Sequence, residues 1–227
     1  LVLNSVVKTL GGNFIVVSAI VALVALCANF FAISRLSPFP MLSVIYYFSH
    51  LYFNKELILA RAGLASALVL LGLYAYINRR SLIAFLLYVG SAAMFHAAAL
   101  VAIVMWAVFW ARIRLSVLFW MFVVAFAFSL LNFYPTDLFI SALHHVNLLP
   151  SSVKTYIGYE TYDYQLSPLN PKSVQQLIVI AVLYRFRAAL SSRVRGFEVL
   201  FATYMVSTLV LISFADFAIL AARLATM

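Results

Sequence analysis

The chain has 227 residues, 67% apolar and 9% charged, with 15 Lys and Arg against 6 Asp and Glu for a formal charge of +9. A soluble domain is nearer half apolar and a quarter charged, so a water-soluble fold of this size lacks the polar residues to cover its surface. The basic surplus argues topology rather than nucleic-acid binding, because Lys and Arg concentrate in the cytoplasmic loops of membrane proteins.

An apolar run of roughly 18 or more residues crosses a hydrocarbon core of about 30 Å as a helix. Backbone polar groups must be satisfied within each segment, and the runs here are too continuous for barrel strands. The expected fold is all-α, a polytopic transmembrane helical bundle of about seven or eight segments. The first segment is predicted over Gly12–Ile33 and contains the single cysteine, Cys27, which reads as a buried structural thiol. A short second segment, Met41–Phe53, follows Pro38-Phe39-Pro40, and a third, Leu57–Ile77, is closed by Asn78-Arg79-Arg80. The stretch Leu82–Trp110 is longer than one bilayer crossing needs at about 1.5 Å per residue. It reads as one tilted helix or as two half-helices broken near Phe95-His96. Leu115–Phe133 is the fifth segment, Tyr134–Lys172 a polar loop, and Val174–Leu190 and Phe197–Leu220 the last two segments. No internal repeat or linker divides the chain, so residues 1–227 read as a single transmembrane domain. Its start at Leu1, with no basic leader, reads as a fragment or the ordered part of a longer polytopic protein.

Positive charge orients these segments. Arg79-Arg80, Arg112 with Arg114, and Arg185, Arg187, Arg193 and Arg195 share one side only if Leu82–Trp110 goes in and comes back as a re-entrant hairpin. With Arg35, that side then holds nine basic residues and one acid, Glu198, and the other side six basic residues and five acids. The asymmetry makes Tyr134–Lys172 an outer loop and turns Glu56, Arg61, His96 and Arg223 towards the outer face.

Few residues can carry chemistry. Arg61 lies at the edge of an apolar segment, where an arginine is expensive and marks a function or a snorkelling helix end. Glu56 is placed to pair with it or with Lys55. His96 sits in Ala92-Ala93-Met94-Phe95-His96-Ala97-Ala98-Ala99, either a satisfied interior imidazole or a proton carrier. The outer loop carries Lys154 and Tyr156, then Glu160 and Asp163 among tyrosines, a composition suited to sugar faces or to an interfacial aromatic belt. Arg61, Lys154 and Arg223 form an outward basic set that fits a diphosphate. His144-His145 lacks metal-ligand spacing, and there is no Asp-x-Asp pair or phosphate-cradling Gly-rich loop, so neither metal nor cofactor is expected.

At these residues the sequence resembles the EpsG family of bacterial exopolysaccharide polymerases, relatives of Wzy-type polymerases. The resemblance runs through Asn4-Ser5-Val6-Val7-Lys8, Gly11-Gly12-Asn13-Phe14, Glu56, Arg61-Ala62-Gly63-Leu64-Ala65, Asn78-Arg79-Arg80, Ala93-Met94-Phe95-His96-Ala97-Ala98-Ala99-Leu100, Lys154-Thr155-Tyr156 and Ala222-Arg223-Leu224. Family members usually have Arg-Gln where this chain has Arg61-Ala62. The resemblance implies a membrane glycosyltransferase of the bacterial inner membrane, joining undecaprenyl-diphosphate-linked repeat units on its outer face. It implies that Arg61 and Arg223 hold diphosphate with help from Lys154, and that His96, Glu160 or Asp163 activates the acceptor. Tyr156 and Glu56 complete the substrate-binding set. Implied partners are lipid-linked oligosaccharide, the growing polysaccharide, membrane lipids, and chain-length regulator and export proteins. An O-acyltransferase acting on polysaccharide and a lipid-linked sugar flippase are the competing expectations.

Overall fold

The computed structural model describes Thr9 and residues 13–49, 60–79, 81–131 and 171–213. They are helical, with no strand among the described residues. In chain order the helices are α1 (Phe14–Leu36), α2 (Pro40–Tyr47), α3 (Ala60–Arg79), α4 (Leu82–Phe95), a 3₁₀ turn (Ala97–Val101), α5 (Ala102–Trp110), α6 (Leu115–Leu130), α7 (Pro171–Arg185), α8 (Arg187–Arg193) and α9 (Phe197–Ser213). They fall into two compact units, residues 1–110 with 194–196 and 227, and residues 111–193 with 197–226.

Local chemistry sets the helix ends. Asn13 caps α1, its side-chain oxygen accepting from the Val16 N–H at 3.2 Å. Ser81 does the same for α4, accepting from the Ala84 N–H at 3.2 Å. The α1–α2 turn holds itself through Ser37 and Ser43, whose hydroxyls lie 2.7 Å apart, and Pro40 opens α2 where its missing N–H costs nothing.

In the first unit the helix directions follow from side-chain pairings. Ala25 of α1 packs with Leu64 and Ala67 of α3, and further along both helices Phe31 meets Tyr74 with ring centroids 5.4 Å apart. The partners advance together, so α1 and α3 are parallel. Alanines let them approach closely, which matters in lipid, where packing rather than apolar transfer holds helices together. α2 runs back along α1: Tyr47 accepts a hydrogen bond from the Asn29 amide at 3.1 Å, both residues being buried, and Phe48 meets Phe30. α4 is antiparallel to α3. An added Cβ on Gly72 would lie 3.0 Å from the Tyr88 Cβ and 3.2 Å from Phe85 Cδ2, so glycine sets the α3–α4 spacing. Gly72→Val is therefore expected to push the two helices apart and cost about 1–3 kcal/mol, read as a lower Tm in detergent.

The long apolar stretch breaks where the sequence suggested. α4 ends at His96, whose backbone is extended (φ −151, ψ 113), and the 3₁₀ turn and α5 then fold back. Phe109 of α5 returns to Phe85 of α4 (centroids 5.8 Å) and stacks on Tyr76 of α3 (4.7 Å, planes 9° apart). A continuous helix would hold Phe85 and Phe109 roughly 36 Å apart, so Leu82–Trp110 is a helical hairpin with His96 near its tip. The turn Val194–Gly196 packs with this unit. Gly196 has φ +75, and a Cβ there would lie 2.7 Å from Ile77 Cγ2. Gly196→Ala is expected to lose about 1–2 kcal/mol from backbone conformation alone, with the Ile77 clash in addition, again read as a fall in Tm.

In the second unit, Phe119 near the start of α6 stacks on Tyr184 near the end of α7, and α9 packs on both helices. Phe122, Ile180, Phe201 and Met205 are buried there. Three sequence expectations need correction. Val174–Leu190 is not one helix: α7 and α8 meet at a 75° bend at Phe186, without glycine or proline, where an apolar helix gives way to the polar run Arg187–Arg193. α6 ends at Leu130 rather than Phe133. Cys27 is exposed, because α1 buries only a narrow stripe, Ala25, Asn29 and Ala32, and Cys27 lies outside it.

Exposed apolar side chains are abundant: Ile15 at 72% and Leu23 at 61% on α1, and Met94 at 87% on α4. Lipid is the solvent that suits such surfaces. Ile15–Leu36 and Arg61–Arg79 are long and apolar enough to cross a membrane, with a third span if the bent pair Ser173–Arg185 and Arg187–Arg193 counts as one.

Candidate functional site

The directions within the first unit give it two chemically different ends. At one end α1 closes with Arg35, whose guanidinium carbon lies 5.7 Å from the Phe31 ring centroid, and α3 closes with Arg79. α5 returns to this end, because Phe109 stacks on Tyr76 one turn before Arg79. The chain therefore leaves α5 towards Arg112 and Arg114 from the Arg79 end.

Arg61 and His96 occupy the opposite end. Gly72 faces Phe85 and Tyr88, so the antiparallel register sets the first turn of α3 level with the His96 break. The 3₁₀ turn packs against α3. Arg61 is exposed, while Gly63, Leu64 and Ala65 immediately after it are buried. The helix thus spends its small and apolar residues on packing and leaves the guanidinium outside.

His96 is half-buried and held by its backbone: its N–H donates to the Ala92 carbonyl at 3.0 Å and its carbonyl accepts from the Ala99 N–H at 3.0 Å. Non-helical backbone at membrane depth persists only inside protein or beside a water-filled cavity. α4 is 14 residues, about 21 Å, short of a full crossing of about 30 Å. Two polar side chains singled out for their cost in an apolar sequence thus share one end of one unit. Ala92 and Ala99, which flank the imidazole, are fully buried, so the break is seated on close helix contacts.

The other residues singled out, Glu56, Lys154, Tyr156, Glu160, Asp163 and Arg223, lie outside the described residues, as do His50, His144 and His145. Among the described residues no three His, Cys, Asp or Glu side chains group as metal ligands. The sequence did not point to the buried Asn29–Tyr47 pair or to α8 as a separate helix. The polar composition of Arg187–Arg193 was the one available signal for α8.

Comparison with known proteins agrees with the resemblance seen in the sequence. No solved structure matches the chain. Amylovoran biosynthesis protein AmsC of Erwinia amylovora is 24% identical over 205 residues, covering 89% of this chain and 54% of that protein. The chain thus spans about half the length of this curated relative. The model of the EpsG family matches residues 1–227, and the chain belongs to the EpsG family.

Proposed function

We propose that this chain belongs to an exopolysaccharide polymerase that joins lipid-linked oligosaccharide repeat units on the outer face of the bacterial inner membrane. Family membership supports the reading, and so does the name of the relative AmsC, an amylovoran biosynthesis protein. The observation that supports it is that Arg61 and His96 lie at the same end of the first unit, opposite Arg35 and Arg79. If the Arg35 and Arg79 end is cytoplasmic, as positive charge favours, Arg61 and His96 face outward, where lipid-linked units arrive. A polytopic bundle of about seven or eight segments, with Leu82–Trp110 re-entrant, accommodates this orientation.

The chemistry is a displacement at the anomeric carbon of an undecaprenyl-diphosphate-linked donor. The terminal sugar hydroxyl of a second lipid-linked unit loses its proton to a base, for which His96, Glu160 and Asp163 are the candidates. Its oxygen forms the new glycosidic bond as the bond from the anomeric carbon to the diphosphate oxygen breaks. The departing electron pair settles on diphosphate, which Arg61 and Arg223 bind with Lys154, since guanidinium forks match phosphate oxygens and fixed charge lowers the barrier where charge develops. Tyr156 and Glu56 belong to the sugar-binding surface in this scheme. Chain-length regulators and export machinery are the partners such a product requires.

Reconstitution of the full-length protein in liposomes with a defined undecaprenyl-diphosphate oligosaccharide tests the reading. Products longer than one repeat, with release of undecaprenyl diphosphate, are expected. Acylated units of unchanged length, or translocation without elongation, would replace this reading by an acyltransferase or a flippase respectively.

A further inference from the structure

Five arginines lie at one end of the second unit. Phe119 and Tyr184 stack with centroids 3.9 Å apart and planes 11° from parallel. The stack sets Arg112 and Arg114, which lead into α6, level with Arg185 and Arg187, which close α7 and open α8. Arg193 ends α8, and all five are exposed. The Arg187 guanidinium carbon lies 4.2 Å from the Tyr184 centroid, so the ring that pins α6 to α7 also holds a cation. Arg112 has φ 50, a left-handed backbone that is unfavourable for a residue with a side chain. Glu198 is the one carboxylate among the described residues, and it accepts from the Ser191 hydroxyl at 3.3 Å.

α8 itself is unusual. It turns 75° from α7, buries none of its residues, and is tied at its start by Arg187 over Tyr184 and further on by Ser191 to Glu198. On α7 the apolar side chains Ile178, Val182 and Phe186 are exposed up to the bend. Apolar exposure therefore ends, and cationic exposure begins, at the point where the helix turns aside.

We infer that this arginine collar binds the headgroups of anionic phospholipids, with α8 lying in the plane of the membrane surface. Among the described residues the collar carries five positive charges against one carboxylate, Glu198. Anionic headgroups sit at the ends of apolar helices, and a polybasic segment there is drawn to them. Guanidinium forks, weakly hydrated and partly stacked on rings, suit phosphate oxygens better than bulk water does.

The test uses the full-length protein with Cys27→Ser and Ser192→Cys, a fluorophore on the new thiol, and phosphatidylcholine nanodiscs. Quenching by a headgroup-labelled phosphatidylglycerol is compared with quenching by a headgroup-labelled phosphatidylcholine. Preferential quenching by phosphatidylglycerol is expected, falling about fivefold for each arginine removed in Arg187→Gln with Arg193→Gln, and retained when the same two become lysine. Raised salt should weaken the preference. Arg112→Gln with Arg114→Gln, which leaves the Tyr184 stack untouched, should lower it independently. Equal quenching by the two lipids in the parent, or a preference unchanged in both double variants, overturns the inference. The readout involves no sugar substrate, so its outcome is separate from that of the polymerase assay.

Discussion

Arg61→Ala is expected to abolish long polymer while leaving the protein inserted and folded. Arg61 is exposed in the first turn of α3, and the packing of that turn belongs to Gly63, Leu64 and Ala65. Removing the guanidinium therefore unpacks nothing. What it removes is fixed positive charge where, in the proposed chemistry, a diphosphate leaves, and loss of one such group costs about 10²–10³-fold in rate. Arg61→Lys should recover only part of the activity, since an ammonium supplies charge without the bidentate fork. His96→Ala should also suppress elongation, by about 10²–10⁴-fold if the imidazole takes the acceptor proton. Its extended backbone suits any residue, so the break survives the substitution. Arg79→Gln, at the far end of the same helix, is the control and should leave polymer length unchanged. Polymer length on gels, beside membrane-fraction protein levels, checks all four. Normal polymer in both Arg61→Ala and His96→Ala would reduce Arg61 to a snorkelling helix end and His96 to an interior imidazole.

Arg61 and His96 stand out because an arginine or an imidazole is costly in an apolar run, and cost is readable without a fold. Their common end was not readable from cost. It depended on the direction of Leu82–Trp110, which its length left open between one tilted helix and two half-helices. Charge favoured a return, because Arg79 and Arg112 flank the stretch and share one side only if it folds back, and the Phe109 contacts with Tyr76 and Phe85 show that it does fold back. The starts of α1 and α4 fall close to the expected Gly12 and at the expected Leu82, and the caps that fix them, Asn13 and Ser81, emerge only in the structure.

The bend at Phe186 was illegible because no glycine or proline marks it, and Arg187–Arg193 forms a helix on either side of a bend equally well. The Asn29–Tyr47 bond joins helices across the Ser37–Pro40 turn, and periodicity within either helix cannot choose such a partner. Cys27 went wrong for a related reason. In a nearly all-apolar helix the hydrophobic pattern does not distinguish the face towards lipid from the face towards protein, and the small or polar residues Ala25, Asn29 and Ala32 mark the latter.

Phe109→Ala should undo the return of the hairpin. In lipid the apolar transfer term that dominates soluble cores is absent, so α5 is held by packing and ring geometry. Phe109 supplies two ring contacts, stacked on Tyr76 and edge-on to Phe85. Each such pair is worth about 0.5–1.5 kcal/mol, so losing both costs about 1–3 kcal/mol. Set against the few helical turns of α5, that is enough to free its end. Phe109→Leu keeps volume but not the rings and should fall between. The readout is a lowered Tm together with thiol accessibility in a Cys27→Ser background. Arg79→Cys and Ala111→Cys should react with a membrane-impermeant reagent from the same side, because α5 brings the chain back to the end where α3 closes. Ala97→Cys, beside the hairpin tip, should not react from that side in the parent. Labelling of Arg79→Cys and Ala111→Cys from opposite sides would mean that Leu82–Trp110 crosses outright, and the proposed chemistry would then lose the shared face it assigns to Arg61 and His96.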